Sequence, residues 1–256
     1  MSLPPRSILI TGASSGIGEA LALSYADDGA ILTLSGRDEE RLRLVAEACV
    51  SRGGTVDARV LDVRDQDAME RWIRDTDSRA PLDLVIANAG IARDGPAASD
   101  AGEDIRTREM FEVNLNGVIN TVLPAVYGMR ARRHGQIAIV SSIAGYRGIP
   151  GSPAYAASKA AVKSWGEGLR GRLAADGIRI SVICPGFVST RMTSKNHFPM
   201  PFLMNADQAA RIIRRGLEHN RPRITFPLPM AFLAWLAGAL PPSITDWMFA
   251  RMPRKE

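Results

Sequence analysis

With 256 residues, 46% of them hydrophobic, the chain has enough apolar material for a large core and reads as one α/β domain rather than two small ones. Its net charge of +5 is spread among acidic residues with no run of five like charges, which argues against nucleic acid as a partner. Two cysteines without metal-ligand or disulfide spacing, no stretch of about 18 apolar residues, and an N-terminus without an apolar leader core predict a cytoplasmic protein with no metal site and no membrane span.

The first predicted strand, residues 7–10, runs into Thr11-Gly12-Ala13-Ser14-Ser15-Gly16-Ile17-Gly18 and then into a helix-period segment over 19–26. Strand, glycine turn and helix, in that order, frame a dinucleotide site. Gly12 permits the tight turn, Gly16 lets the backbone approach the ligand, and Gly18 packs the helix on the strand, so that the free N–H groups at the helix start face a pyrophosphate. Gly12, Ser14, Ser15, Gly16, Ile17 and Gly18 are therefore the candidate cofactor loop. A second strand over 29–35 closes a βαβ unit, and the residues after it decide the cofactor. NAD-binding folds place a carboxylate there for the ribose 2′-hydroxyl, whereas a 2′-phosphate needs cations. Here the order is Ser35-Gly36-Arg37-Asp38. Arg37 can clamp a phosphate, and Asp38 reads as the cap of a helix over 39–52, with Glu39 and Glu40 near its positive end. This favours NADP(H); NAD(H) is the alternative, with Asp38 on the ribose.

A third strand, 55–61, ends in Asp62-Val63 at the carboxyl edge, where open α/β sheets bind ligands, making both candidate cofactor contacts. Asp62 either accepts from an adenine amino group or caps the helix beginning near Asp65. Strand four, 82–86, ends in Ala87-Asn88-Ala89-Gly90, small residues that let backbone lie against a cofactor, with Asn88 reading mainly as a tie between strands. After a loop over 91–102 comes a long helix, 103–131. Asn114, Asn116 and Gly117 inside it are poor helix formers and predict a local irregularity. Strand five, 136–140, delivers Ser141 and Ser142 to the same edge, where Ser142 either bonds a substrate oxygen or forms a turn. Next stands Tyr155-Ala156-Ala157-Ser158-Lys159. On a helix, Tyr155 and Lys159 share a face, and the ammonium favours the phenolate over a phenol whose ordinary pKa is near ~10. Tyr155 then becomes usable as a general acid or base.

The 11–18 loop, Asn88-Ala89-Gly90, Asn114, Ser142, Tyr155-x-x-x-Lys159 and Pro185-Gly186, in this order, resemble the short-chain dehydrogenase/reductase family over residues 7–190. The resemblance implies a Rossmann-type doubly wound parallel sheet in a single domain, a nicotinamide nucleotide, and interconversion of a carbonyl and an alcohol. By position it implies a tetrad of Asn114, Ser142, Tyr155 and Lys159. Tyr155 exchanges the proton, Ser142 holds the substrate oxygen, Lys159 lowers the phenol pKa and grips the nicotinamide ribose, and Asn114 holds a water leading to solvent. Gly36 stands where NAD-preferring members carry aspartate, which joins the argument from Arg37. Ala87 departs from the commoner Asn-Asn-Ala-Gly form and leaves Asn88 in place. After strand six, 179–184, the turn Pro185-Gly186-Phe187-Val188-Ser189-Thr190 is implied to lie beneath the nicotinamide, with a main-chain contact from Val188 and a hydroxyl from Thr190.

The helix through Tyr155 continues to about Asp176, with Gly166, Gly168 and Gly171 along it. The family resemblance implies pairing across a dimer axis, hence a homo-oligomer; tight packing within the chain is the other reading. From Arg191 the resemblance fades, so 1–190 reads as the dinucleotide-binding and catalytic core and 191–256 as a substrate lid and C-terminal extension. Met192, Phe198, Met200, Phe202, Leu203 and Met204 suit a flexible lid over an apolar small molecule, or ordinary packing. A helix from about 206 and a last strand over 223–226 follow. Residues 227–240 are strongly apolar, with Trp235; beyond them lie Pro241-Pro242, a piece with Trp247, and a basic end of Arg251, Arg254 and Lys255. Dimer contact or core packing is the favoured expectation here, ahead of attachment to a membrane surface. The reading is an NADP(H)-dependent oxidoreductase of a hydrophobic carbonyl compound; the alternatives are a nucleotide-binding sensor without turnover and a peripheral membrane module.

Overall fold

The computed structural model describes residues 5–92, 100–194 and 199–249. The readings of Phe198 and of the basic end at Arg251, Arg254 and Lys255 lie outside these residues, as does most of the loop over 91–102. Strand β1 (Ser7–Thr11) is buried at all five positions because it has a parallel neighbour on each edge and helices on both faces. The strands that follow are β2 (Ile31–Gly36), β3 (Thr55–Val60), β4 (Leu84–Ala87), β5 (Gly135–Val140), β6 (Ile178–Pro185), the short β7 (Val188–Ser189) and β8 (Met204–Asn205), and β9 (Arg223–Phe226). Seven of them form one parallel sheet in the order β3-β2-β1-β4-β5-β6-β9, while β7 and β8 pair separately. The order reverses beside β1, so a crevice opens at the carboxyl ends of β1 and β4.

Helices α1 (Gly16–Ala26), α2 (Glu39–Ser51), α3 (Gln66–Arg79), α4 (Asp100–Phe111), α5 (Gly117–Ala131), α6 (Pro153–Leu173) and α7 (Ala206–Glu218) supply the crossovers. Side chains alternate across the sheet, which splits the core in two. Ile8 and Ile10 pack with Leu21, Leu42 and Ile213 of α1, α2 and α7, whereas Leu9 packs with Trp72, Val122 and Val162 of α3, α5 and α6. The expected helix over 103–131 is divided: a π-helical turn, Glu112–Asn116, separates α4 from α5 at the two asparagines. Asp38 caps α2 by accepting from the Arg41 backbone N–H at 3.1 Å, as its position predicts. The capping alternative for Asp62 fails, because Asp65 caps α3 by accepting from the Ala68 N–H at 3.0 Å. Gly166 is an internal contact, since a Cβ there would stand 2.7 Å from Val182; at Gly168 and Gly171 a Cβ would meet nothing within 4 Å.

Of the two readings favoured for 227–240, dimer contact and core packing, the fold of the chain rules against the second. Helix α8 (Leu228–Ala239) buries none of its residues, and the large ones point out: Leu228 is 79% exposed, Leu233 60%, Phe232 59% and Trp235 55%. Ala231, Ala234 and Ala237 take the inner side. The approach is close there, a Cβ at Gly238 lying 2.7 Å from the Tyr146 carbonyl, so only small residues fit. A last helix, α9 (Pro242–Phe249), follows, and among the described residues no helix is long and apolar enough to cross a membrane.

Candidate active site

The glycine turn between β1 and α1 is a cradle closed by its own backbone. Gly12 and Gly16 have φ of 65° and 62°, which side chains with a Cβ rarely adopt. A Cβ on Gly12 would stand 2.8 Å from Ala89 Cα, one on Gly16 2.8 Å from Thr190 Cγ2, and one on Gly18 2.4 Å from the Gly12 carbonyl. The loop thus touches both the end of β4 and the 185–190 turn. Asn88 ties it down, its Nδ2 donating to the carbonyls of Thr11 and Gly12 at 3.0 Å each. Ser15 precedes α1 without a side-chain capping bond, so no hydroxyl of its own covers the helix start. Ile17 leans on the core of that layer. These residues fit a dinucleotide pyrophosphate: backbone close to the ligand, and a helix N-terminus beside it.

At the far end of the crevice, Gly36 lies over Ser14; a Cβ there would be 3.0 Å from the Ser14 Cβ and Oγ. Arg37 is exposed. Asp38 is occupied by its capping bond and by an ion pair with Arg41 at 2.9 Å. Asp62 is gripped by Arg64, whose hydrogen bonds hold the carboxyl below its usual range, with a smaller contribution from Arg37. The Val63 side chain is buried against Gly117, where a Cβ would come within 2.5 Å of its Cγ2, and its carbonyl accepts from Asn120 Nδ2 at 2.9 Å. Val63 can meet a ligand through its backbone alone.

The second cluster forms where β4, the π turn, β5 and α6 converge. Pro153 opens α6, its fixed φ suiting the first helical turn, and places Tyr155 and Lys159 on one face. Lys159 is 3% exposed; its Nζ donates to the Val140 carbonyl at 3.0 Å and stands 5.9 Å from the centre of the Tyr155 ring. Burial pushes this amine down to about 8, against an opposite pull from Cys184. Asn114, fully buried, accepts from the Ile91 N–H at 2.8 Å and donates to the Ile91 carbonyl at 2.9 Å. Gly90 meets both, since a Cβ there would be 3.3 Å from Asn114 Oδ1 and from Lys159 Nζ. Ser142, two residues past β5, accepts from the Ala144 N–H at 3.1 Å, the turn-forming bond, with its Oγ 3.5 Å from the Pro185 carbonyl. Asn114, Ser142, Tyr155 and Lys159 are therefore gathered at one edge of the sheet.

The turn after β6 closes the site. Gly186 donates to the Phe226 carbonyl at 2.7 Å and is packed by Pro227 and Met230 at the start of α8. Sequence reasoning passed over Thr193, which pins the turn by accepting from the Thr190 N–H at 3.0 Å and donating to the Val188 carbonyl at 2.6 Å. It also passed over Tyr146, whose hydroxyl bonds Thr225 at 3.0 Å and whose ring centre lies 5.2 Å from the Lys163 amine and 5.6 Å from the Arg223 guanidinium carbon. Both lie within a few residues of recognised positions; Tyr146 finds its partner on a distant strand that spacing does not reveal, while Thr193 closes a local turn on Thr190 and Val188. Of the apolar loop, Met192, Phe202 and Leu203 are exposed while Met204 is buried in β8.

Residues 6–199 match the family model described as short chain dehydrogenase. Among curated relatives, an uncharacterized oxidoreductase of Myxococcus xanthus is 37% identical over 94% of this chain and 95% of its own length. The 3-oxoacyl-(acyl-carrier-protein) reductase FabG of Thermotoga maritima is 37% identical over 76% of this chain and 79% of its own length. A short-chain dehydrogenase from Sphingobium yanoikuyae, solved in complex with NADPH, superposes with a TM-score of 0.79 at 25% identity, covering 99% of this chain and 98% of that one.

Proposed function

This chain belongs to the short-chain dehydrogenase/reductase family and is an NAD(P)-dependent oxidoreductase of CH–OH groups; within that class we propose that it uses NADP(H) to interconvert an apolar carbonyl compound and its secondary alcohol, with Tyr155 as the proton-exchanging group. The observation that carries this reading is the amine of Lys159, withdrawn from solvent beside the Tyr155 ring. A buried cation there stabilises the phenolate far more than an exposed one, because water does not screen it. When bound, the nicotinamide supplies or accepts the hydride. The 12–18 loop would hold the pyrophosphate, Arg37 and Ser14 the 2′-phosphate, Asp62 and Val63 the adenine. Asn88, Ala89 and Gly90 would line the middle of the cofactor, Tyr155 and Lys159 the second ribose, and Pro185, Gly186, Val188 and Thr190 the carboxamide end. Tyr155 gives its proton to the carbonyl oxygen, Ser142 donates a hydrogen bond to that oxygen, and Asn114 keeps the path from Lys159 to solvent in order. Residues 1–190 would do the chemistry and 191–256 the substrate selection, the exposed Met192, Phe202 and Leu203 favouring an apolar molecule.

NADP(H) is favoured because Asp38, the carboxylate that follows β2, is committed: it caps α2 and pairs with Arg41. Arg37→Ala should lower kcat/KM with NADPH by about 10- to 100-fold, the worth of a charge-assisted hydrogen bond, while NADH turnover changes little. Equal losses with the two nucleotides would reassign Arg37 to a structural role. A panel of ketones and alcohols followed by NADPH absorbance tests the reading as a whole; binding without carbonyl-dependent oxidation would identify a sensor instead.

The outward face of α8 favours a second apolar body, and we read that body as another copy of this chain, in line with a homo-oligomer. Phe232→Glu with Trp235→Glu should shift the protein toward monomer in sedimentation at unchanged secondary structure. Flotation of the wild type with liposomes would instead assign the face to a membrane surface.

A further inference from the structure

Ser158 lies inside the Tyr155–Lys159 stretch, is fully buried, and has no part in the mechanism above. Its Oγ donates to the Tyr155 carbonyl at 2.8 Å and accepts from Asn114 Nδ2 at 3.1 Å. Asn114 has two amide hydrogens; one goes to the Ile91 carbonyl at 2.9 Å and the other to Ser158. A continuous path of hydrogen bonds, buried at its centre and part-buried at its ends, therefore runs from Ile91 beyond β4, through the π turn, to the carbonyl of Tyr155 in the first turn of α6. The hydroxyl bond closes across the turn that fixes Tyr155 relative to Lys159, and it is anchored in a different element. Deleting the hydroxyl frees that turn and leaves an Asn114 donor buried without an acceptor.

We propose that Ser158 is a positioning residue, which holds the Tyr155–Lys159 turn in its working geometry by clamping it to Asn114. The inference rests on the reading of Tyr155 and Lys159 as an acid–base pair. It differs from a packing role in its consequences. A hydroxyl that merely satisfied Asn114 would change stability alone, whereas a clamp changes how the pair titrates and how fast the folded protein turns over. The titratable groups facing the Lys159 amine are Tyr155 on its own helix and Cys184 on β6, beside the Val140 carbonyl of β5.

The test compares full-length wild type, Ser158→Ala and Ser158→Thr, with Ser158→Cys as a substitute if the added methyl prevents folding. In steady state with NADPH and a carbonyl substrate, Ser158→Ala should lose about tenfold in kcat with KM for NADPH within about twofold, and its pH profile should move. Ser158→Thr, which keeps the hydroxyl, should recover most of the loss. The Lys159 amine is also titrated by NMR in the free protein, which needs no substrate. In Ser158→Ala its midpoint should rise, because a looser turn admits water to the charged form. Ser181→Ala, which removes another buried hydroxyl bond far from the site, should lower stability and leave kcat and the titration unchanged. Wild-type kcat, pH profile and amine titration in Ser158→Ala, whatever its stability, would overturn the inference. Absence of carbonyl-dependent turnover in the wild type would overturn the functional reading instead, and the amine titration would then decide the role of Ser158 by itself.

Discussion

Tyr155→Phe is expected to lower kcat by about 10²- to 10⁴-fold while nucleotide affinity stays within a few-fold of wild type. That loss corresponds to roughly 3–5 kcal/mol of transition-state stabilisation. The variant removes one oxygen from a half-buried ring and leaves the ring's contact with the Lys159 amine in place, so the loss reads the proton transfer and not a cavity. The pH dependence carries a sign. Burial holds the Lys159 amine at about 8, so it is charged below that value and neutral above it. Support for the phenolate is therefore present below about pH 8 and falls as pH rises through it, which predicts a basic limb in kcat that Lys159→Met abolishes. Stability runs the other way. The folded chain binds the lysine proton less tightly than the unfolded chain, so the cost of the buried charge is full below about 8 and is relieved as pH rises toward 10.5. Retained turnover in Tyr155→Phe would place the proton donor elsewhere.

Gly18→Ala is expected to cut nucleotide affinity by about 100-fold or more and to cost about 1–3 kcal/mol of stability. The added carbon would stand 2.4 Å from the Gly12 carbonyl and 2.6 Å from Asn88 Nδ2, and neither partner is a flexible chain end. The first is backbone in the turn, and the second is held by two hydrogen bonds of 3.0 Å. Relief requires α1 to move off β1, carrying with it the N–H groups proposed to face the pyrophosphate. Isothermal titration with NADPH and thermal unfolding read the two effects separately. Affinity equal to wild type would mean that the pyrophosphate does not sit on this turn.

The readable parts of the molecule were those governed by neighbours in the chain. Asp38 as the cap of α2 follows from its place one residue before a helix-period run, and the π turn follows from asparagines inside a helical pattern. Asp62 was ambiguous because Asp65, three residues on, is an equally good cap; the fold gave the cap to Asp65 and left Asp62 to Arg64. For the apolar 227–240 segment the sequence left dimer contact and core packing open, because composition records that side chains are apolar and not which way they point. Where α8 approaches Tyr146 closely only small residues fit, and most of its large side chains are turned outward.

Local order in the chain determined the glycine cradle, the tyrosine and lysine one helical turn apart, and the alternation of strand and helix that makes a parallel sheet with a crevice at its reversal. Tertiary structure alone decided that the lysine amine is shut away from water, that Ser158 bridges Asn114 to Tyr155, and that the Tyr146 hydroxyl meets Thr225. The reason is physical: turns, caps and helix faces are set by interactions a few residues long, whereas burial and hydrogen-bond closure depend on segments that folding brings together from tens of residues apart.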